Sequence, residues 1–174
     1  RFFRSLDGID DGDCNLNFYN SPFSERSREL TVYQDQVWLA AGGVDLRFGN
    51  LFLDHGFASL IDGRWTIYNR ESLEVLKGKD PDDPNDDLLD IITVAVHPSN
   101  GNVYAGSYFE GLVELDGETA TLYNEDNSTL QTAIGDPTRT RVSGLTFDAE
   151  GNLWVSNYLA PRPLSVLSQD GSWQ

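Results

Sequence analysis

The dipeptide Asp-Gly recurs at Asp7-Gly8, Asp62-Gly63, Asp116-Gly117 and Asp170-Gly171, with spacings of 55, 54 and 54 residues. A second marker, Tyr-Asn, follows at Tyr19-Asn20, Tyr68-Asn69 and Tyr123-Asn124, and a third, an aromatic residue inside an apolar run, falls at Trp38, Tyr104 and Trp154. The markers keep their order each time. Self-similarity at a fixed period restricts a chain to repeat architectures, in which each unit buries its apolar surface against its neighbours.

Between the markers the pattern is β, with period-two alternation and short apolar runs bounded by Gly, Asn and Asp. In the second repeat four runs cover 92–97, 102–108, 111–115 and 120–124, joined by the turn formers Ser99-Asn100-Gly101 and Asp116-Gly117. The third repeat has 142–147, 152–158, 164–167 and a final Ser172-Trp173, and the first has 30–33, 37–41, 57–61 and 64–68. Four antiparallel strands at such a period mark a propeller blade, since blade repeats run roughly 40 to 50 residues. The expected fold is therefore an all-β propeller fragment of about three four-stranded antiparallel blades. It divides into the end of a preceding blade (1–28), a first blade with long loops (29–91), a second (92–141) and a third truncated in its last strand (142–174). Propellers close with about four to eight blades, so neighbouring blades of a parent chain are the expected partners of the open edges.

Charge narrows the function classes. With 12 Lys+Arg against 28 Asp+Glu, the formal net charge of −16 repels phosphate backbones, and nucleic acid is not an expected partner. No window approaches the roughly 20 apolar residues of a membrane-spanning helix. Cys14 is the only cysteine, which excludes an internal disulfide framework and a cysteine-cage metal site.

The run from Val142 to Val155, Val-Ser-Gly-Leu-Thr-Phe-Asp-Ala-Glu-Gly-Asn-Leu-Trp-Val, resembles the D-x-x-G-N-L-W-[IV] repeat of two-component-regulator propellers from Bacteroidetes. The second repeat is similar: Val96-His97-Pro98-Ser99-Asn100-Gly101-Asn102-Val103-Tyr104, then Gly106-Ser107-Tyr108-Phe109-Glu110-Gly111-Leu112, which resembles that family's G-T-x-x-G-G-L stretch. With the tails after Tyr68 and Tyr123, the nearest look-alike is the PorZ-like branch of propeller proteins of the type IX secretion system. The first repeat departs, with Gln34-Asp35-Gln36 in place of the Asp-x-x-Gly-Asn turn and an insertion after Gly43. The resemblance implies a protein of the periplasm or outer-membrane surface, either a sensor half or a secretion component, that binds an envelope protein or an anionic glycan such as lipopolysaccharide.

In a blade with strands a to d, the b–c and d–a links emerge on one face, and here those at 42–56, 70–90 and 125–141 are the long ones. Long loops on a rigid scaffold are where binding usually resides. Arg47, Phe48, Tyr108, Phe109, Tyr158 and Arg162 are the expected contacts for a glycan or protein partner on that face. The acidic residues Asp80, Asp82, Asp83 and Asp86 form either a structural Ca²⁺ clasp or a self-repelling loop, and Asp7, Asp10, Asp11 and Asp13 pose the same alternative without the frame and terminal Glu of an EF-hand. No other cofactor is expected. His55 and His97 lack zinc-ligand spacing, and Trp38, Tyr104, Trp154, Trp65 and Tyr68 are expected to pack between blades.

Two functions fit these observations. One is a non-catalytic recognition propeller of the bacterial cell envelope. The other is a fragment of a propeller enzyme, such as a calcium-dependent lactonase or a lyase, which would place acids at the channel ends of its innermost strands. Asp90 is the one acid at such a position, and neither a Ser-His-Asp order nor a paired-carboxylate motif stands out.

Overall fold

The structure, a computed structural model, describes residues 20–22, 24–78 and 87–174. Three antiparallel sheets follow one another along the chain. The first is β1 (Glu29–Tyr33), β2 (Gln36–Ala40), β3 (Phe57–Ile61) and β4 (Arg64–Tyr68). The second is β5 (Ile91–Val96), β6 (Val103–Ser107), β7 (Gly111–Asp116) and β8 (Thr119–Tyr123). The third is β9 (Val142–Phe147), β10 (Leu153–Asn157) and β11 (Leu164–Leu167), extended by a bridge from Leu167 to Trp173. Each sheet is a simple meander, and its first strand lies beside the first strand of the next sheet: β5 packs against both β1 and β9. That is propeller-blade architecture, with β1, β5 and β9 innermost.

The repeat markers have physical causes. Asp62 and Gly63 both have positive φ, +51° and +72°, the two-residue turn whose twist matches a β-hairpin. Gly56 and Gly111 open the third strand of their blades with φ of +64° and +107°, and a Cβ on either would strike the carbonyl oxygen of Tyr68 or Tyr123. The Tyr-Asn marker is thus the other half of a glycine contact. Its asparagine turns the chain out of the blade: Asn69 Oδ1 accepts the Glu71 amide at 3.1 Å, and Asn124 Oδ1 accepts the Asp126 amide at 3.0 Å.

Two apolar seams hold the blades together. In the first, Trp38, Ala40 and Phe57 meet Ile91, Val94, Val103, Ala105, Val113 and Leu115, with Leu76 and Leu88 from the intervening loop. In the second, Tyr104 and Leu112 meet Val142, Leu153, Val155 and Leu167, with Leu130 from the loop. Adjacent residues of β6 face opposite seams, as strand geometry requires. Trp38, Tyr104 and Trp154 occupy equivalent register positions, opposite Thr31, Ala95 and Thr146. Trp38 and Tyr104 are 4% and 5% exposed because the next blade covers them, whereas Trp154 is 41% exposed on a face that no described blade covers.

Polar locks fix the turns. At the β9–β10 turn, Asp148 accepts the Asn152 amide at 2.8 Å, the Asn152 side chain at 3.0 Å and the Trp154 indole N–H at 2.9 Å, which accounts for the spacing of the D-x-x-G-N-L-W run. The indole N–H first, and Asn152 second, hold the Asp148 carboxyl below the usual carboxylate range. At the opposite end of the blades, Asp90 is fully buried with φ of +52°. Its carboxylate accepts the Leu51, Phe52 and Leu53 amides at 3.0, 2.9 and 3.0 Å and the Asn50 side chain at 3.0 Å. Its own amide donates to the Leu53 carbonyl at 2.8 Å and its carbonyl accepts from Tyr108 at 2.9 Å, so one residue of the second blade pins the long β2–β3 loop of the first.

Three outcomes follow in chemical denaturation. Trp38→Ala costs about 3–5 kcal/mol by opening a cavity in the first seam, whereas Trp154→Ala costs about 1 kcal/mol or less. Asp90→Ala orphans four loop donors and costs several times the roughly 1–3 kcal/mol of a single unsatisfied buried group, or collapses the β2–β3 loop. The lowered Asp148 value means its charge stabilises the folded state above the ordinary carboxylate value and ceases to do so as pH falls through the folded one. The stability gap between wild type and Asp148→Asn therefore narrows below about pH 4. A gap that widened on acidification would contradict the assignment.

Candidate functional site

The long links β2–β3, β4–β5 and β8–β9 emerge on one face, together with the β6–β7 and β10–β11 links. The β2–β3 loop is a compact hook. Asp45 Oδ1 accepts the Arg47 and Gly49 amides, both at 2.7 Å, and Val44 bridges Asn50, which lifts Leu46, Arg47 and Phe48 to the tip. From there the Phe48 ring stacks on Tyr158 at 5.7 Å, and Tyr158 leans on Tyr108 at 5.4 Å. Farther along, Phe52 meets Phe109 edge-on at 5.9 Å, and the Arg139 guanidinium lies over the Phe109 ring at 3.6 Å. Arg141, paired with Asp136 at 2.8 Å, stands 5.4 Å over Tyr108.

The structure therefore brings three of the six expected residues, Phe48, Tyr158 and Tyr108, into one aromatic chain that joins all three blades, and sets a fourth, Phe109, beside it against Phe52. Tyr108 and Phe109 are 1% and 2% exposed and form its floor, while Phe48 is open to solvent. Burial first, and the neighbouring Tyr158 phenol second, push the Tyr108 hydroxyl well above the usual phenol range, so it stays protonated. Arg47 rides the exposed tip of the hook. Arg162 makes none of these ring contacts; its amide donates to Gln131 Oε1 at 2.9 Å beside an open cleft lined by Pro161, Thr129 and Glu125. Asp80, Asp82, Asp83 and Asp86, like Asp7, Asp10, Asp11 and Asp13, lie outside the described residues. Among the described residues no three acidic, His or Cys side chains converge as a metal site.

Sequence reasoning missed the apolar residues that complete this face. Leu46, Phe52, Ile134 and Leu159 are exposed large hydrophobics in the same links, and the Ile134 amide donates to the Leu159 carbonyl at 2.9 Å. Phe48, Phe52 and Leu159 have φ of +61°, +59° and +60°, the left-handed region that bulky residues avoid. The only sequence signal was the isolated apolar residue in an otherwise polar link. Strained backbone carrying exposed apolar side chains is an arrangement that folding alone does not favour, and such strain concentrates at binding sites.

No protein-family model matches the chain, and no curated protein matches it. Among solved structures it is similar to PorZ, described as an essential bacterial surface component of the type-IX secretion system of the human oral bacterium Porphyromonas gingivalis. The two superpose with a TM-score of 0.76 at 20% sequence identity, over 93% of this chain. The chain spans about a fifth of PorZ's length, 21%, and the likeness shows that the three blades share a fold with a segment of that protein.

Proposed function

We propose that the chain is part of a non-catalytic recognition propeller of the bacterial cell envelope, and that it engages a protein partner through the long-loop face. The observation that carries this reading is the set of exposed apolar residues at positive φ, Phe48, Phe52 and Leu159, with Phe52 set against the buried Phe109 and Phe48 stacked on Tyr158, which leans on the buried Tyr108. An apolar, aromatic centre beside arginines is the composition of a protein–protein hot spot. The fold shared with PorZ, a bacterial surface component, supports the envelope location. Further blades of a parent chain would cover the Trp154 face.

The alternative of a propeller lactonase or lyase needs metal-binding acids at the channel ends of the innermost strands. Asp90 holds that position, and its carboxylate is occupied by four loop donors. Glu29, at the start of β1, accepts the Thr93 hydroxyl at 3.1 Å on one of its oxygens.

Site-specific photocrosslinking in the native host tests the recognition reading. A photoreactive phenylalanine analogue at Phe48 or Leu159 yields a discrete adduct with one envelope protein, and the same probe at Glu118, on the opposite turns, does not. Adducts only to glycan would transfer the reading to a saccharide ligand. Equal labelling from both ends of the blades, or none, refutes it.

A further inference from the structure

The two seams differ at the turn end, opposite the long loops. In the first, the Trp38 indole fills the space, stacked on Tyr68 at 5.7 Å and tilted against Phe57 at 6.4 Å, with Ser59 across the strand. In the second, Tyr104 replaces the tryptophan and Glu114 stands where Ser59 would be. The result is an opening of about 140 Å³ lined by Tyr104, Glu114, Tyr123, Phe147, His97 and Gln169.

Glu114 is half-buried at its floor. One oxygen accepts the Tyr104 hydroxyl at 2.5 Å and the Asn102 side-chain NH₂ at 2.9 Å, and the other accepts the Tyr123 hydroxyl at 2.8 Å. A carboxylate has about four acceptor sites, so one remains open. All three donors are neutral: burial first, then Glu114, push the Tyr123 phenol up to about 12, and the same causes in the same order raise Tyr104 further. No ion pair among the described residues supplies Glu114 with a cation. A carboxylate partly removed from water without a countercharge is costly unless a cation reaches it.

Aromatic rings wall the same opening. Tyr104 and His97 meet Phe147 edge-on at 5.6 and 4.9 Å, and Tyr123 lines the opening beside them. Ring faces around an acid attract a compact organic cation, and the chain's net charge of −16 draws one in. We propose that this inter-blade cleft binds an ammonium or guanidinium group, the head of a lysine or arginine side chain of a partner peptide, between the Glu114 carboxylate and the rings of Tyr104, Tyr123 and Phe147. The site is independent of the long-loop face and shares no residue with it.

Calorimetric titration of the full chain with Nα-acetyl-lysine methylamide, the arginine analogue and the neutral norleucine analogue tests the proposal. Lysine or arginine binds at least about tenfold more tightly than norleucine, and the difference shrinks with added salt. Glu114→Gln abolishes that preference, and Glu114→Asp restores part of it. Binding of norleucine equal to lysine, an unchanged preference in Glu114→Gln, or no saturable binding of either cation overturns the proposal. Should Glu114→Gln fail to fold, the wild-type comparison of lysine with norleucine decides alone.

Discussion

A four-stranded antiparallel blade has two faces, and in this chain both are apolar at the centre, so no blade is stable until a neighbour covers it. That constraint explains why β6 sends Val103 and Ala105 into one seam and Tyr104 into the other. It also lengthens the β4–β5 and β8–β9 links. Tight turns suffice at one end, where consecutive strands stay within a blade, while the links that carry the chain from an outer strand back to the next inner one must cross the full width of the sheet. Function is thereby sorted onto the ends of the strands, because the faces are consumed by packing.

The strands were legible in the sequence because their signals are local. The Asp-Gly turns, the period-two alternation and the aromatic marker each act within a few residues, and the strand boundaries lie within a residue of those read from the pattern. The Tyr-Asn pairs were visible as markers, but the glycines at 56 and 111 that face them were not, because that contact is made across a hairpin. Trp154 shows the limit of the repeat argument. Its position is equivalent to that of Trp38, yet its environment depends on a neighbour that the described residues do not supply.

The candidate site was legible in part, for the same reason. Long loops pointed to the face, and aromatic residues near strand ends included the three members of the ring chain and Phe109 beside it. The sequence could not reveal that Tyr108 and Phe109 form the floor, nor that Leu46, Phe52, Ile134 and Leu159 provide the exposed surface, because left-handed backbone at a bulky residue has no compositional signature. Asp90 was noticed as an acid at a channel end. Its actual partners are amides some 40 residues upstream, a long-range relation that spacing does not encode.

The Asp90 lock has a dynamic consequence. The loop amides of Leu51, Phe52 and Leu53 end on a carboxylate that belongs to the next blade and is fully buried. They exchange only when that contact breaks, so the base of the hook is protected with the joint between the blades, whereas the Arg47 and Gly49 amides at its tip end on Asp45 of the hook itself. A surface loop is thereby joined to the interior as one cooperative unit. Whatever grips Phe52 from outside bears directly on the joint between two blades, and anything that loosens that joint loosens the surface it presents.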